Sequence, residues 1–215
     1  MNKKITVMLV DDHAVVRAGY RLLLSQSQRI EVVREAERGE EACQHYAEAL
    51  PDVVVMDLSM PGIGGLAAIR RIRARDPAAR ILAFSIHDET VYAERALEAG
   101  ASGYITKSCA PEILVEAVLA LARDEPYIEP EIALRLALQK VKGRDSATSL
   151  QTLSAREFEI FCLLARGRTP REVADELRLS PKTTANYSTA IKYKLGVNTT
   201  AEMARLAYQQ GIFKD

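Results

Sequence analysis

Short apolar runs rich in β-branched residues alternate with longer amphipathic segments through the first 123 residues of this chain. Runs of this length and composition predict buried strands, whereas the segments between them carry apolar residues at helical spacing. Neighbouring parallel strands need a crossover, which is usually a helix, so repeated strand-helix units predict a doubly wound α/β fold. The pattern predicts a five-stranded parallel sheet, with strands at 4–10, 30–36, 53–56, 80–84 and 103–106 and a helix after each strand.

Polar residues stand directly after four of these strands. Asp11 and Asp12 follow the first strand, Asp57 the third, Ser85 the fourth and Lys107 the fifth. Ligands of open α/β sheets bind outside the carboxyl ends of the strands, so these side chains are expected at one edge. Three carboxylates there would repel one another, and a divalent cation would relieve the repulsion. Mg²⁺ prefers hard oxygen ligands and phosphoryl oxygens, so the sequence predicts a magnesium site in which Asp57 is a nucleophile toward phosphorus, with Lys107 and Ser85 as donors.

Each of these residues also has an ordinary structural interpretation. Asp12 next to a helix is a common N-cap. A lone lysine such as Lys107 is usually solvated, and Ser85 is an ordinary loop hydroxyl. Only the joint placement at strand ends favours a functional site.

The chain changes character after Arg123. Residues 124–130 are punctuated by proline and predict a turn, residues 131–141 predict a linker helix, and the small polar residues 142–149 predict a flexible tether. We therefore expect three segments, at 1–123, 124–149 and 150–215.

The tail at 150–215 is predicted to consist of four helices. Ser154 with Glu157, and Thr169 with Glu172, form capping boxes at the starts of the first two. Ser180 precedes a proline and marks the start of the third helix, and the fourth begins at residue 199 or 200. The short connection between the second and third helices has helix-turn-helix form.

Charge is unevenly distributed although the 29 basic and 29 acidic residues balance. Residues 1–124 contain 15 basic and 18 acidic residues, whereas residues 151–215 contain 10 basic and 7 acidic residues. A basic tail is a weak indication of nucleic acid contact when taken alone.

The cysteines and the N-terminus indicate the compartment. Cys43, Cys109 and Cys162 are widely spaced and form no CxxC pair, which is typical of a reduced cytosolic protein. The chain enters its first strand without the apolar core of a signal peptide, and no apolar run approaches the ~18 residues that span a bilayer. We expect a cytoplasmic protein without a membrane segment.

The strand-end residues Asp11, Asp12, Asp57, Ser85 and Lys107, together with Tyr104, resemble the receiver domain of two-component response regulators. The tail from Leu153-Ser154-Ala155-Arg156-Glu157 to Val197 is similar to the LuxR-type helix-turn-helix. The chain is thus identified as a member of the NarL/FixJ family, over essentially its whole length. Pro181-Lys182-Thr183, Tyr187 and Pro126-Tyr127-Ile128 resemble the GacA-like branch. The resemblance implies a flavodoxin-like receiver followed by an all-α, four-helix DNA-binding domain.

The resemblance also implies roles for individual residues. Asp57 would accept a phosphoryl group from a sensor histidine kinase or a small phosphodonor. Asp12, Asp57 and the backbone carbonyl of Ser59 would hold Mg²⁺, with Asp11 acting mainly through bound water. Such a protein is not an enzyme beyond its own phosphoryl transfer and slow autodephosphorylation.

Ser85 and Tyr104 would form a switch pair. In the family, the hydroxyl moves toward the phosphoryl group and the aromatic ring turns inward. Phosphorylation adds roughly −1.5 to −2 charge and three acceptor oxygens, which is enough to reposition a nearby donor.

The third tail helix is predicted to have two faces. Thr184, Tyr187, Ser188, Ile191 and Leu195 recur at spacings of three and four and predict a face that packs inward. The opposite face, with Lys182, Ala185, Asn186, Thr189, Lys192 and Tyr193, is expected in the major groove.

Base contacts in the family resemble positions 185, 186 and 189. The lysine often found at position 185 is replaced by Ala185, so Asn186 is expected to provide most of the hydrogen-bonded readout, with Thr189 or Ala185 near a thymine methyl. Phosphate contacts are expected from five basic residues, each of which is otherwise an ordinary solvated side chain: Lys182, Lys192, Lys194, Arg168 and Arg171.

Apolar residues near the end of the chain predict a homodimer contact. These are Tyr193 and, on the last helix, Met203, Leu206, Ala207 and Tyr208. Met203 and Leu206 are at least as well explained by packing in the small helical core. Helix-turn-helix proteins usually bind paired half-sites as two-fold dimers.

Three other interpretations of the strand-end residues can be distinguished. A haloacid dehalogenase-like enzyme needs a second acid two residues after its nucleophile, where this chain has Ser59. A flavodoxin-like cofactor binder needs Gly, Ser or Thr in its first loop, where Asp11 and Asp12 would repel a phosphate. The alternative that stays open is a receiver that no longer takes phosphate and regulates DNA binding through protein or ligand contacts alone.

Overall fold

The computed structural model describes residues 4–141, 150–210 and 212–213. They form two compact units, Met1–Arg135 and Leu136–Asp215. The predicted tether at 142–149 lies outside the described residues, and the segment boundaries at residues 123 and 149 stay a prediction.

The first unit is a parallel sheet with flanking helices, which confirms the predicted α/β fold. Its elements in chain order are β1 (Ile5–Val10), α1 (Ala14–Ser25), β2 (Ile30–Ala36), α2 (Gly39–Ala49), β3 (Val53–Asp57), α3 (Gly64–Arg75), β4 (Ile81–Ser85), α4 (Thr90–Glu98), β5 (Gly103–Thr106), α5 (Pro111–Leu121), β6 (Tyr127–Ile128) and α6 (Pro130–Val141), which ends in the second unit.

The strand order is β2-β1-β3-β4-β5-β6, and every neighbouring pair is parallel. The prediction of five strands is therefore short by one. Residues 124–130, predicted as a turn, contain β6, in which Tyr127 pairs with Gly103 and Ile128 with Tyr104. Two residues are too few to show a strand pattern, and the pairing satisfies backbone groups along the exposed edge of β5.

The sheet is covered on both faces. Val7 and Val55 point to one face and form a cluster with the helix residues Leu24 and Val118. Successive strand residues point to opposite faces, and Val54, which belongs to the other face, is equally buried. Burial on both faces explains why the strands are continuous apolar runs, and it leaves the carboxyl ends of the strands as the place for polar groups.

The second unit's described residues from 150 onward contain a 3₁₀ turn at Leu150–Thr152 and four helices, which confirms the predicted all-α tail. The helices are α7 (Ala155–Ala165), α8 (Pro170–Glu176), α9 (Pro181–Leu195) and α10 (Thr200–Gln209). Both predicted capping boxes are present, and a third, formed by Thr199 and Glu202, fixes the start of α10. The core includes the buried side chains of Phe158, Phe161 and Ile191.

Within the described residues, none of the helices has the length and apolar character that a membrane span requires.

Candidate functional site

The predicted strand-end residues meet at the carboxyl edge of the sheet. Asp11 and Lys107 directly follow β1 and β5, and Asp57 and Ser85 are the last residues of β3 and β4. These four strands are consecutive neighbours in the sheet. Lys107 Nζ donates to Asp11 Oδ2 at 2.6 Å and to Asp57 Oδ2 at 2.8 Å. One ammonium thus joins the ends of three central strands.

The carboxylates of Asp11, Asp12 and Asp57 form an acidic pocket together with the ring of His13. One ligand atom from each of the four residues lies within 4.8 Å of the others. Three ionised carboxylates and the ammonium of Lys107 together carry two net negative charges, the amount that one divalent cation neutralises. The hard oxygen donors therefore fit Mg²⁺.

His13 is an addition to the predicted pocket. Its Nδ1 lies 2.9 Å from Asp12 Oδ1 and 3.4 Å from Asp11 Oδ1. It also occupies the N-cap position of α1, next to Asp12. Its side chain is 62% exposed, so the open side of the pocket is lined by an imidazole. Ser59, a predicted cation ligand, lies beside the pocket, and its N–H donates to Asp57 Oδ1 at 3.0 Å.

The Asp57 carboxyl is almost fully buried, with 2% of its surface exposed. Burial raises its pKa, the ammonium of Lys107 opposes the rise and the charge of Asp11 adds to it, with the result that the pKa is about 6. A carboxyl that is costly to ionise is stabilised by any cation or covalent bond that removes its charge.

The raised pKa predicts a pH-dependent effect of Asp57→Asn on stability. The pKa of Asp57 in the folded protein exceeds its ordinary value near 4. The contribution of Asp57 to folding stability is therefore fully present below pH ~4 and is lost as the pH rises through about 6. In the absence of divalent cations, Asp57→Asn should therefore be more stable than wild type at pH 7.5, by about 1–3 kcal/mol, and have no such advantage at pH 4. Urea unfolding with a chelator, at both pH values, measures this. An equal difference in stability between Asp57→Asn and wild type at the two pH values would contradict the raised pKa of Asp57.

Ser85 and Tyr104 lie together beneath the pocket, and both are fully buried. The Tyr104 hydroxyl donates to the carbonyl oxygen of His87 at 2.7 Å, and the Ser85 hydroxyl accepts the His87 N–H at 3.2 Å. Burial raises the pKa of Tyr104, against a smaller opposite effect of its hydrogen bond with Ser85. The aromatic ring is in the inward position, and the movement of the pair on phosphorylation stays a prediction.

His87 joins two loops around this pair and was missed by sequence reasoning. Its ring stacks on Tyr92, with centroids 3.9 Å apart and planes at 7°. Its Nε2 lies 3.4 Å from the Ser59 hydroxyl, and its Nδ1 lies 3.8 Å from Glu89 Oε2. A lone histidine two residues after a strand carries no pattern that would single it out.

Arg17 on α1 makes hydrogen bonds that fix the loop carrying Asp11 and Asp12. Its guanidinium donates to the carbonyl oxygen of Asp11 at 2.6 Å, to Glu35 Oε2 at 2.7 Å and to Glu37 Oε1 at 2.9 Å. The loop that carries Asp11 and Asp12 is thereby fixed to the end of β2. Sequence spacing does not reveal this role, because Arg17 is one of many arginines on helices.

The burial pattern of α9 agrees with its two predicted faces except at Lys192, which is half-buried on the face predicted to point outward. Thr184 and Ile191 are fully buried, whereas Ala185, Asn186 and Thr189 are exposed. The Thr189 hydroxyl donates to the carbonyl oxygen of Ala185 at 3.1 Å, which occupies its hydrogen. Asn186 is therefore the longest hydrogen-bonding side chain among the three expected base contacts.

The predicted phosphate contacts differ in their surroundings. Lys182, Arg168 and Arg171 are exposed, and Lys192 is half-buried. Lys194 instead donates to Glu157 Oε2 at 2.7 Å, which ties the end of α9 to the capping box of α7. Burial opposes ionisation of Glu157, but the bonds from Lys194 and Ser154 outweigh it and keep the Glu157 pKa low. A phosphate contact by Lys194 stays a prediction that competes with this ion pair.

The predicted dimer surface is divided between core and solvent. Met203 and Ala207 are fully buried, whereas Tyr193 and Tyr208 are 89% and 56% exposed. The two tyrosines thus provide most of the exposed apolar surface at the positions proposed for dimer contact.

A parallel α/β unit with this acidic pocket, followed by a helix-turn-helix unit, defines a response regulator that binds DNA. Residues 7–119 match the family described as Response regulator receiver domain, and residues 151–207 match Bacterial regulatory proteins, luxR family. The chain therefore belongs to the NarL/FixJ family of response regulators, in its GacA-like branch, as the relatives below also show.

The chain is 42% identical over 209 residues to the Transcriptional activator protein ExaE of Pseudomonas putida, which covers 97% of this chain and 98% of that protein. It is 36% identical over 208 residues to the Response regulator GacA of Pseudomonas aeruginosa, which covers 97% of each. A solved structure of RcsB from Salmonella enterica serovar Typhimurium, bound to promoter rprA in the presence of phosphomimetic BeF₃⁻, is similar with a TM-score of 0.63. Its identity is 27%, over 94% of this chain and 98% of that one.

Proposed function

We propose that phosphorylation of Asp57 controls the binding of this regulator to promoter DNA. The observation that carries the proposal is the contact of Lys107 with both Asp57 and Asp11 at the centre of the acidic pocket. Three carboxylates and an ammonium at adjacent strand ends form a site for a cation and a phosphoryl group. A regulator that binds the chromosome works in the cytoplasm, where we place this protein.

Asp57 is proposed as the nucleophile. One of its carboxylate oxygens bonds to phosphorus, while the bond from phosphorus to the donor breaks. Mg²⁺ held by Asp12, Asp57 and the Ser59 carbonyl, with Asp11 acting through water, would supply charge stabilisation for the transferred group. Lys107 neutralises a second side of the same group, and the Ser85 hydroxyl donates to one of its oxygens after leaving its present partner.

A sensor histidine kinase is the proposed phosphodonor, with a small phosphodonor as substitute. The protein is proposed to catalyse no reaction apart from this transfer and the slow hydrolysis of its own acyl phosphate.

Phosphorylation is proposed to favour a homodimer, with Tyr193 and Tyr208 at its contact. RcsB was solved on promoter DNA with a phosphomimetic, which supports the link between phosphorylation and DNA binding by similarity alone.

Intact mass spectrometry tests the proposal. Wild-type protein incubated with Mg²⁺ and acetyl phosphate should gain one phosphoryl group, and Asp57→Asn should gain none. The variant keeps the size of the side chain and removes the nucleophilic charge. Absence of an Asp57-dependent adduct would favour the remaining alternative, a receiver that regulates DNA binding through protein or ligand contacts alone.

Asn186→Ala is expected to relax DNA sequence preference. Asn186 is exposed on the outward face of α9, and an asparagine amide reads adenine with two hydrogen bonds. The change should cost about 1–3 kcal/mol on the preferred site and much less on unrelated DNA. Lys182→Ala provides the contrast, because loss of a phosphate contact should weaken all sequences alike and reduce the salt dependence. DNA-binding titrations of both variants, on two sequences and at two salt concentrations, distinguish loss of base readout from loss of a phosphate contact. Equal weakening of every sequence by Asn186→Ala would contradict the readout assignment.

A further inference from the structure

The end of β5 carries three residues that touch different parts of the molecule. Tyr104 belongs to the buried pair beneath the pocket, and Lys107 contacts Asp57 and Asp11. Thr106 lies between them, is 3% exposed and faces the segment that leads into α6. Thr106 is the chain neighbour of Lys107, so the contacts of both residues hold the same stretch of backbone.

Glu129, the residue directly before α6, holds Thr106 with one carboxylate oxygen. Its Oε2 accepts the Thr106 N–H at 2.7 Å and the Thr106 hydroxyl at 2.8 Å. The backbone N–H of Glu129 donates to the Tyr104 carbonyl oxygen at 2.9 Å, which continues the pairing of β6 with β5. Hydrogen bonds to a carboxylate are roughly twice as strong as neutral ones, so these contacts fix the strand end more firmly than pairing alone.

The same strand end is held from the side of the phosphorylation site. The Lys107 N–H donates to the Ser85 carbonyl oxygen at 2.7 Å, and its ammonium is bonded to Asp57 and Asp11. Asp57 and Glu129 thus contact adjacent residues, Lys107 and Thr106. The two carboxylates therefore contact one short stretch of backbone.

Helix α6 has a second connection, which leads to the residues around Ser85 and Tyr104. The Glu129 carbonyl oxygen accepts the Ala133 N–H at 2.9 Å and so belongs to the first turn of the helix. One turn later, Arg135 donates to Asp88 Oδ2 at 3.0 Å. Asp88 follows His87, the residue whose carbonyl oxygen accepts the Tyr104 hydroxyl. Because Asp88 is 64% exposed, this ion pair contributes less than the buried contacts of Thr106.

We propose that Glu129 is a positioning residue that couples the linker helix α6 to the phosphorylation site through Thr106 and Lys107. The proposal rests on the proposed function of Asp57 and names a route by which the site acts on the segment leading to the DNA-binding unit. Coupling is reciprocal, so loosening the start of α6 weakens the binding of a phosphoryl group or its analogue.

Beryllofluoride with Mg²⁺, a non-covalent phosphoryl analogue, is the probe for the full chain. Fluorine NMR gives its apparent affinity, and hydrogen exchange gives the protection of residues 130–135. Glu129→Gln should weaken binding about five- to tenfold, the effect of losing charged hydrogen bonds. In wild type, the probe should slow exchange at the start of α6, and in Glu129→Gln it should not.

Glu131→Gln is the matched control, since Glu131 is exposed on the first turn of the same helix and loses the same charge. It should leave affinity and exchange unchanged. Thr106→Val removes the hydroxyl and keeps the N–H, so its effect and that of Glu129→Gln should be strongly non-additive in the double variant. Urea unfolding of each variant confirms that the affinities are measured on folded protein.

The outcomes separate the coupling from the proposed function. Wild-type protein that binds no beryllofluoride would overturn the proposed function and the coupling with it. Wild-type binding that is equally strong in Glu129→Gln would overturn the coupling alone, and so would an equal loss in Glu131→Gln. Additive effects of Thr106→Val and Glu129→Gln would overturn the route through Thr106.

Discussion

Lys107→Ala is expected to slow phosphorylation of Asp57 by about 10²-fold or more, the usual effect of removing one preorganised charged donor from a reaction centre. The ammonium lies 2.6 Å from Asp11 and 2.8 Å from Asp57, and only 12% of its side chain is exposed. Burial lowers the pKa of Lys107, but the two carboxylates outweigh it and the net pKa is raised, so Lys107 stays charged at neutral pH. Its loss removes the ammonium that offsets the carboxylates of the pocket.

The rate of phosphate incorporation from acetyl phosphate, followed by intact mass at saturating Mg²⁺, measures the effect. Lys4→Ala is the control, because Lys4 is an exposed lysine at the opposite end of β1. Lys107→Arg keeps the charge with a larger, planar head group and should recover only part of the rate. A Lys107→Ala rate within about threefold of wild type would remove Lys107 from the reaction centre.

Gly65→Ala is expected to distort the phosphorylation site itself. A Cβ at residue 65 would lie 2.7 Å from Leu58 Cα and 2.9 Å from the Asp57 carbonyl carbon, and closer still to the Asp57 carbonyl oxygen. These neighbours are backbone atoms, which do not move aside as a side-chain tip does. We expect a loss of about 3 kcal/mol in stability and a matching loss of phosphate incorporation.

Gly19→Ala provides the matched comparison. Gly19 lies inside α1, and a Cβ there meets nothing within 4 Å. The same substitution should therefore raise stability by about 0.5–1 kcal/mol through helix propensity and leave phosphorylation unchanged. Urea unfolding of both variants measures whether each substitution raises or lowers the free energy of unfolding relative to wild type. A Gly65→Ala protein as stable and as readily phosphorylated as wild type would show that α3 does not pack against the Asp57 backbone as described.

The arrangement of the pocket was predictable because it follows from the order of the strands. Each of Asp11, Asp57, Ser85 and Lys107 adjoins a strand, and parallel topology alone brings those strand ends together. The helical tail was predictable for a related reason, since capping residues such as Ser154 act within a few residues of themselves.

The residues that sequence reasoning missed act across long separations. Arg17 reaches Glu35 and Glu37, and Glu129 reaches Thr106 across 23 positions. The spacing of residues along one helix or strand does not predict such a contact, because the partners lie on different elements. Strand β6 was missed for a different reason: two residues are too short to show alternation, and their pairing depends on the free edge of β5.

Control by phosphorylation requires a change in the balance between two states of the protein. Moving a population from 1:99 to 99:1 takes about 5.5 kcal/mol of differential stabilisation. The contacts of Lys107 with Asp57 and of Glu129 with Thr106 are charged hydrogen bonds, each contributing about 1.5–3 kcal/mol. A few such contacts that differ between the two states would suffice.

The most direct test of phosphorylation-controlled DNA binding is the retention of duplex DNA from a random-sequence library at one fixed salt concentration. Wild type and Asp57→Asn are compared, each with and without Mg²⁺ and acetyl phosphate. The phosphodonor should increase retention and sequence enrichment by wild type alone. Equal retention and enrichment by both proteins, whether or not the phosphodonor is present, would contradict phosphorylation-controlled DNA binding.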